Sequence, residues 1–288
     1  MLSAAVSILF DGLAYAMILF IIAVGLSITM GLMNFVNLAH GVFAMAGGYA
    51  TVTMIRAWEV PFLAALPIAF VLVGAASVVF ERLLYAPLYR RSELDQVLMT
   101  IGFVFMAIAA FTYFWGPNPL GIEVPRYLKG QVDLGFREFP TYRLFMIAVG
   151  FGMILALWLV FERTLLGARI RAAVDNRRMA QSLGIDVGRL FTLTFAVGSG
   201  LAAVGGGLAV ELIGLRPTFA IQYLVHFLIV VAVGGLGSIR GAFLAALLLG
   251  IIDTAGKYVW PAGGGFFIYA ITVVALLIKP EGLYGKRD

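Results

Sequence analysis

Residues 8–30 read ILFDGLAYAMILFIIAVGLSITM, an apolar run with one charged residue, Asp11. About 20 such residues are enough to cross the hydrocarbon core of a bilayer as an α-helix. Comparable apolar runs recur near residues 38–55, 62–85, 97–115, 144–161, 190–213, 220–233, 242–252 and 266–278. They do not alternate in polarity as the strands of a membrane barrel do, and helices are the other structure that satisfies its own backbone in lipid. The runs therefore predict an all-α membrane protein.

The composition supports this class and excludes several functions. Hydrophobic residues make up 62% of the 288 residues and charged residues only 12%, about half the share found in a soluble domain. With no cysteine and two histidines, the chain offers little basis for a metal site, and we expect none. It also lacks a Walker A sequence, a serine elbow and a zinc-type histidine pair, so we expect no catalytic residues and no cofactor in this chain. Basic residues do not alternate with exposed aromatic ones, which argues against nucleic acid as a partner.

Several of the apolar runs are interrupted by glycine or proline. Residues 205–207 are three consecutive glycines inside one run, and the run 220–233 is followed by Gly234 and Gly235 after fewer residues than a full crossing needs. Such interruptions are tolerated in a membrane where protein or a water-filled cavity covers the backbone. We therefore expect a polytopic bundle of eight or nine spans with broken helices, forming a single transmembrane domain over residues 1–288.

The distribution of basic residues predicts the orientation of the bundle, because short cytoplasmic loops are rich in lysine and arginine. The connection 162–189 contains six arginines, and the connection 85–95 and the C-terminal tail are also basic. We expect all three on the cytoplasmic side. The loop 116–141 contains prolines and balances its basic residues with acidic ones. We expect it on the outside, and the side of the N-terminus stays open.

A polar motif, GLMNFVNLAHG, occupies residues 31–41. Asn34, Asn37 and His40 are spaced by three, so they would share one face of a helix. Polar side chains in hydrocarbon must find partners, which makes them either contacts between helices or the lining of a polar path. Together with Gly41, they form our candidate translocation path, and a packing role is the alternative.

A second motif, GARIRAAVDNRRMAQSLGI, lies in the basic connection at residues 167–185. Asp175 suits a helix N-cap, and Gly184 suits the position just after a helix end. The motif predicts a short amphipathic helix outside the membrane. Its arginines could bind anionic lipid, but a capped helix with its own apolar stripe favours docking to a soluble partner. The candidate coupling residues are Arg169, Arg171, Asp175, Asn176, Met179, Ala180, Leu183 and Gly184.

Three further residues, Glu211, His226 and Asp253, carry chargeable groups within or beside apolar runs. A chargeable residue at membrane depth is a candidate site. Asp253 and Lys257 are four residues apart, which favours an ion pair with a structural role. The three residues are therefore candidates either for the path or for structural charges.

Four stretches of the chain, GLMNFVNLAHG, AVDNRRMAQSLGI, GGLGSIRGAF and KPEGLYG, together resemble the H-type membrane subunit of high-affinity branched-chain amino acid ABC importers. They span most of the chain in the family's order. The resemblance implies an ABC importer permease in the bacterial inner membrane that works by alternating access. It also implies three kinds of protein partner: a homologous second permease subunit, two cytoplasmic ATPases that hold ATP and Mg²⁺, and a periplasmic binding protein. Membrane lipid is a further expected partner of the bundle. In this picture residues 169–185 are the coupling loop in the ATPase groove, and residues 34–41 lie beside the solute path.

Alternatives remain for the solute and for the mechanism. Close relatives of this family are assigned to urea, short amides, and aromatic or dicarboxylic acids, so these solutes stay open. A secondary transporter that needs no ATP would instead couple to protons through the chargeable residues in the apolar runs. A purely structural membrane subunit would have the polar side chains of residues 34–40 packed without water.

Overall fold

The structure, a computed structural model, describes residues 2–33, 35–89, 91–133 and 138–285. Helices make up most of these residues, as the sequence predicts. The α-helices are α1 (Leu2–Met33), α2 (His40–Trp58), α3 (Phe62–Phe80), α4 (Glu93–Trp115), α5 (Thr141–Arg163), α6 (Leu165–Asp175), α7 (Arg177–Ser182), α8 (Val187–Ile213), α9 (Phe219–Gln222), α10 (Leu224–Gly234), α11 (Ile239–Val259) and α12 (Phe266–Ile278). Two short strands, β1 (Gln131–Asp133) and β2 (Glu138–Pro140), pair antiparallel with Val132 opposite Phe139.

Six helical segments are long and apolar enough to cross a membrane: α1, α3 with its extension to Leu88, α4, α5, α8 and α11. The α9–α10 segment and α12 are shorter apolar helices, and α2 is not among the six. The apolar runs seen in the sequence thus all form helices. By this criterion, however, the described residues contain six full-length spans rather than eight or nine, since several runs give helices too short or too polar. The chain is a multi-pass membrane protein.

Glycine and proline break fewer helices than the sequence suggests. α8 continues without interruption through residues 205–207, and α3 continues through Pro67. In α8 the glycines serve close packing instead, because a Cβ on Gly207 would lie 2.7 Å from Oγ1 of Thr51 on α2. The chain does turn sharply after α10, where Gly235 has a φ of 92° that favours glycine.

The centre of the bundle is α1. Residues 14–29 are all buried, on every side of the helix, as expected for a helix that is apolar all round. α1 packs mainly against α8 and α11. Small residues allow these helices to approach closely: a Cβ on Gly198 of α8 would lie 2.9 Å from the carbonyl oxygen of Gly25. α8 in turn packs against α2 and α3, so α1 and α8 organise most of the core.

One end of the bundle, which we name the basic end, carries residues 162–189 and the C-terminal segment, residues 279–285. Arg240 at the start of α11 pairs with Glu162 at the end of α5, with 3.3 Å between Nη2 and Oε1. The C-terminal segment is held by Leu283, whose backbone N–H donates to the carbonyl of Val233 at 2.7 Å. Three of the basic residues expected at this end lie outside the described residues, namely Arg90, Lys286 and Arg287.

The other end, which we name the opposite end, carries the loop between α4 and α5. Leu120 in this loop forms two backbone hydrogen bonds with Leu215, which follows α8. Arg56 at the end of α2 donates to the carbonyl of Gly121 at 2.6 Å. Separation of the basic segments from this loop agrees with the charge pattern of the sequence.

Candidate functional site

The polar motif 31–41 does not form one helix. α1 ends at Met33, residues 35–39 are not helical, and α2 begins at His40. The single polar face expected from the spacing is therefore wrong, and Asn34 lies outside the described residues. The physical reason is that side chains replace the helical hydrogen bonds in this break. The Oε1 of Gln96 accepts from the backbone N–H of Val36 at 3.2 Å, and Asn37 accepts from its own backbone two residues on.

Asn37 and His40 are both buried and only partly satisfied. The Oδ1 of Asn37 accepts from Ala39 N at 3.1 Å and from the Tyr85 hydroxyl at 3.2 Å. The Nε2 of His40 lies 3.0 Å from the carbonyl oxygen of Ile22, so this nitrogen carries the proton. The Nδ2 of Asn37 and the Nδ1 of His40 have no hydrogen-bond partner among the described residues. Hydrogen bonds therefore hold the break in place, but one polar atom of each of these two side chains stays unsatisfied within the described residues.

Gly41 allows α2 and α9 to approach each other closely. A Cβ on Gly41 would lie 2.9 Å from the carbonyl oxygen of Ala220. The structure thus brings Asn37, His40 and Gly41 to the place where α1, α2 and α9 meet. All three are buried, and none of them lines either of the two cavities described below.

Four hydroxyl groups that the sequence reasoning missed are unsatisfied in the same way as the polar atoms of Asn37 and His40. They are buried and have no hydrogen-bond partner in the described part of the chain, and they belong to Ser27, Tyr49, Thr194 and Ser199. These residues lie on α1, α2 and α8, the helices that pack around the break. Unsatisfied buried polar groups are rare and call for an explanation. The sequence signal was a few hydroxyl residues within each of these apolar runs, and such residues are too common to single out these four.

The candidate coupling segment consists of α6 and α7, separated by Asn176. Asn176 is the N-cap of α7, and its Oδ1 accepts from the Met179 backbone N–H at 2.9 Å. The expected N-cap at Asp175 is therefore wrong by one residue. Asp175 is the last residue of α6, whereas Asn176 has the extended backbone, with φ −153° and ψ 97°, that a cap requires.

The expected end of this helix at Gly184 is confirmed. Gly184 has a φ of 82°, a conformation that glycine adopts without steric cost. Two reverse hydrogen bonds close the helix: Ile185 N donates to the Ala180 carbonyl at 3.1 Å, and Gly184 N donates to the Gln181 carbonyl at 3.0 Å. This is the Schellman arrangement, and it gives α7 a defined length and direction.

The apolar residues of α7 and of its C-cap, Leu183, are divided between two environments. Ala180 is buried against the bundle, whereas Met179 and Leu183 are 59% and 74% exposed. Around them, Arg169 is exposed and Arg171 donates to the carbonyl of Phe161. The segment therefore presents two large apolar side chains on a short, firmly capped helix, surrounded by basic residues.

A groove of about 1560 Å³ opens at the basic end. Its walls come from α5, α6, α10, α11, α12 and the C-terminal segment, and they are largely apolar, with Trp158, Leu228 and Leu276 among them. Its rim carries the Arg240–Glu162 pair and Arg171. The groove adjoins the candidate coupling segment through α6.

A smaller cavity of about 330 Å³ at the opposite end brings two of the three chargeable candidates together. Asp253 is 2% exposed, and its Oδ2 lies 2.5 Å from Nζ of Lys257, so the ion pair favoured by the sequence is confirmed. His226 lines the same cavity, next to Asp253. The Oδ1 of Asp253 and the Nδ1 of His226 lack partners in the described residues. Glu211 is exposed and does not line this cavity.

The amino-acid sequence of the chain matches a known protein family. The family described as "Branched-chain amino acid transport system / permease component" matches residues 8–276. The chain is 26% identical to the high-affinity branched-chain amino acid transport system permease protein LivH of Escherichia coli K12, covering 97% of this chain and 95% of that protein. It is also 26% identical to the probable branched-chain amino acid transport permease protein LivH of Methanocaldococcus jannaschii, covering 96% and 92%.

A solved structure agrees on the fold. PsaBC from Streptococcus pneumoniae, in complex with Fab, matches with a TM-score of 0.55 and 13% identity, covering 99% of this chain and 98% of that chain. At this identity the likeness concerns the fold alone. The family match, in contrast, extends over almost the entire sequence, and its members are transport permeases rather than enzymes. They are components of a transport system, so the protein functions with partner subunits. The chain belongs to the family of permease components of branched-chain amino acid transport systems.

Proposed function

We propose that this protein is the membrane permease subunit of an ATP-driven, binding-protein-dependent importer of branched-chain amino acids in the bacterial inner membrane. The observation that carries the proposal is α7, a capped helix at the basic end with Met179 and Leu183 exposed. The solute class is that of the related permeases. Urea, amides and aromatic or dicarboxylic acids remain the competing solutes.

The basic end faces the cytoplasm in this proposal. Cytoplasmic loops of membrane proteins are enriched in arginine and lysine, and the connection 162–189 contains six arginines. α7 then projects toward two ATPase subunits, which supply bound ATP and Mg²⁺. The opposite end, with its loop 116–141, faces the periplasm and receives a solute-binding protein. A homologous second permease subunit completes the membrane part.

Transport proceeds by alternating access. ATP binding closes the two ATPases, and α7 carries this movement into the bundle. ATP shifts the permease between its outward and inward states only because one state binds it better than the other. The break at residues 35–39, with Asn37 and His40, lies beside the path in this mechanism. The unsatisfied Nδ2 of Asn37 and Nδ1 of His40 fit a site whose hydrogen bonds differ between the outward and inward states.

Reconstitution tests the proposal. The permease is incorporated into liposomes alone, or together with its second permease subunit, the ATPases and the binding protein, and uptake of radiolabelled leucine is measured with and without ATP. We expect uptake only from the full assembly and only with ATP. Uptake by the chain alone, without ATP and driven by a proton gradient, would show instead a secondary transporter that uses His226 or Asp253.

Replacing Asn37 with leucine is expected to lower uptake about tenfold while the amount of assembled complex changes less than twofold. Leucine leaves the Ala39 N–H and the Tyr85 hydroxyl without their acceptor, and each unsatisfied group costs about 1–3 kcal/mol. The lost hydrogen bonds destabilise the break at residues 35–39, whereas assembly of the complex depends on contacts of the whole bundle. Uptake and assembled complex are measured on the same preparation. Equal losses in the two would assign Asn37 to helix packing alone.

A further inference from the structure

A buried carboxylate lies where α3 gives way to the connection before α4. Glu81 is 2% exposed. Its Oε1 accepts from the Tyr89 hydroxyl at 2.5 Å, and its Oε2 accepts from Oγ1 of Thr192 at 2.9 Å. No ion pair to Glu81 occurs in the described part of the chain. Since a buried carboxylate is costly without compensation, these two hydroxyls are what hold it in place.

The backbone around Glu81 is itself unusual. Residues Glu81–Tyr85 form a π-helical turn, followed by a 3₁₀ turn at Ala86–Leu88. Glu81 and Tyr85 both point inward and are buried, while the three residues between them are exposed. π-helical turns inside helices occur frequently at functional sites. This turn places two polar side chains, those of Glu81 and Tyr85, on its buried side.

One side of this cluster contacts the candidate coupling segment. The ring of Tyr89 packs edge to face on Phe191, with 5.9 Å between the ring centroids. The guanidinium of Arg177, the first residue of α7, lies over the ring of Phe191, 4.9 Å from its centroid. Thr192, which binds Glu81, is the next residue on α8. Two side chains, Tyr89 and Phe191, therefore connect Glu81 to α7.

The other side of the cluster contacts the break between α1 and α2. The Tyr85 hydroxyl donates to Oδ1 of Asn37 at 3.2 Å. Phe35 lies against both tyrosines, with centroid distances of 5.3 Å to Tyr85 and 5.6 Å to Tyr89. The break therefore rests on the same π-helical turn that carries Glu81.

Gln96 on α4 reinforces this connection. Its Oε1 accepts from Val36 N in the break, while its Nε2 donates to the carbonyl of Leu88 at 3.3 Å.

The protonation of Tyr89 supports its hydrogen bond to Glu81. Burial is the larger cause that raises the pKa of Tyr89, and the hydrogen bond to Glu81 is the next. The phenol therefore keeps its proton and remains the donor to Glu81 at physiological pH.

We propose that Glu81 is a positioning residue that makes the break at residues 35–39 follow the movement of α7. The proposal rests on the proposed function, since it assigns a route by which ATPase closure reaches the solute path. When α7 is displaced, Phe191 and Tyr89 pass the displacement to Glu81, and the π-helical turn passes it to Asn37 through Tyr85. Glu81 does not contact solute in this mechanism. Because contiguous contacts alone do not demonstrate coupling, the test must measure coupling itself.

The experiment measures the number of leucine molecules imported per ATP hydrolysed in proteoliposomes that contain the full assembly. Tyr89→Phe removes one hydroxyl, and Glu81→Leu removes the acceptor. We expect each change to lower the coupling ratio about tenfold, with basal ATP hydrolysis and assembly within twofold of wild type. The double variant should be no worse than either single variant, because both changes interrupt one interaction.

Two matched variants separate coupling from a merely structural role. Glu81→Gln keeps an acceptor for Tyr89 and should retain most of the coupling ratio. Tyr142→Phe removes a buried hydroxyl that donates to the Leu208 carbonyl at 2.9 Å, far from this cluster at the opposite end, and should leave the ratio unchanged. An unchanged ratio in Tyr89→Phe and Glu81→Leu, or fully additive losses, would overturn the proposal. Absence of ATP-driven uptake in the wild-type assembly would refute the proposed function instead.

Discussion

Replacing Gly206 with leucine is expected to abolish accumulation of the folded protein in the membrane. Gly206 lies where α8 crosses α2, and a Cβ at this position would overlap the carbonyl of Ala44. The neighbouring contact is equally tight, because a Cβ on Gly47 would overlap Ala203. The obstructing atoms are backbone atoms and cannot rotate away, so the helices must separate. Overpacking of this kind costs about 3 kcal/mol or more, a large fraction of the stability of a typical domain.

A matched substitution on α4 provides the control. Gly102 is also within a helix, but a Cβ there meets no atom within 4 Å. Leucine at this position replaces glycine with a better helix former and should leave the protein level unchanged. The measurement is the amount of monodisperse protein extracted in mild detergent, with the denaturation temperature of each variant. Equal yields of the two leucine variants would contradict the packing of α2 against α8.

Changing both Met179 and Leu183 to aspartate is expected to reduce ATP-driven uptake about 30-fold or more, with the affinity for the binding protein nearly unchanged. The two side chains are the exposed apolar anchors of α7. Residues that dominate an interface each contribute upwards of about 1 kcal/mol, and about 1.4 kcal/mol corresponds to a factor of ten. Carboxylates in the same positions would also have to be desolvated. Uptake and ATP hydrolysis are followed together, so that loss of coupling is seen directly.

The control for this variant adds the same charges without removing the anchors. Gln181 and Ser182 are exposed neighbours on α7, and both are changed to aspartate. This control should retain most of the uptake if apolar contact is what matters. Full coupled uptake in the Met179 and Leu183 variant would remove α7 from the interface with the ATPases. A loss of equal size in the control would show that charge, not apolar docking, governs this contact.

The sequence was sufficient for the class of fold but not for its breaks. Apolar runs of about 20 residues can be read directly, since the bilayer leaves few alternatives to a helix. The end of α1 could not be read in this way. Three polar residues at steps of three imitate a helical face, yet Asn37 binds its own backbone and Gln96, 60 residues away, binds Val36. Interactions with a distant helix decided the local structure.

The candidate coupling segment was predicted more closely. Its glycine end follows from a local rule, and Gly184 adopts the expected left-handed conformation. Its start was wrong by one residue because Asp175 and Asn176 are both good caps, and which of them leaves the helix depends on α6. Glu81 could not be found at all from sequence. Its partners, Tyr89 and Thr192, are 8 and 111 residues away, and only the fold brings them together.

The enclosed position of α1 has a consequence for biosynthesis. The helix leaves the ribosome well before its principal neighbours, α8 and α11, which are encoded far downstream, up to Val259. At translation rates of about 5–20 residues per second, α1 waits roughly 10 to 45 s for them. During that interval it is surrounded by lipid or by the insertion machinery. After insertion, α1 must therefore leave the lipid or the insertion machinery and become enclosed by α8 and α11.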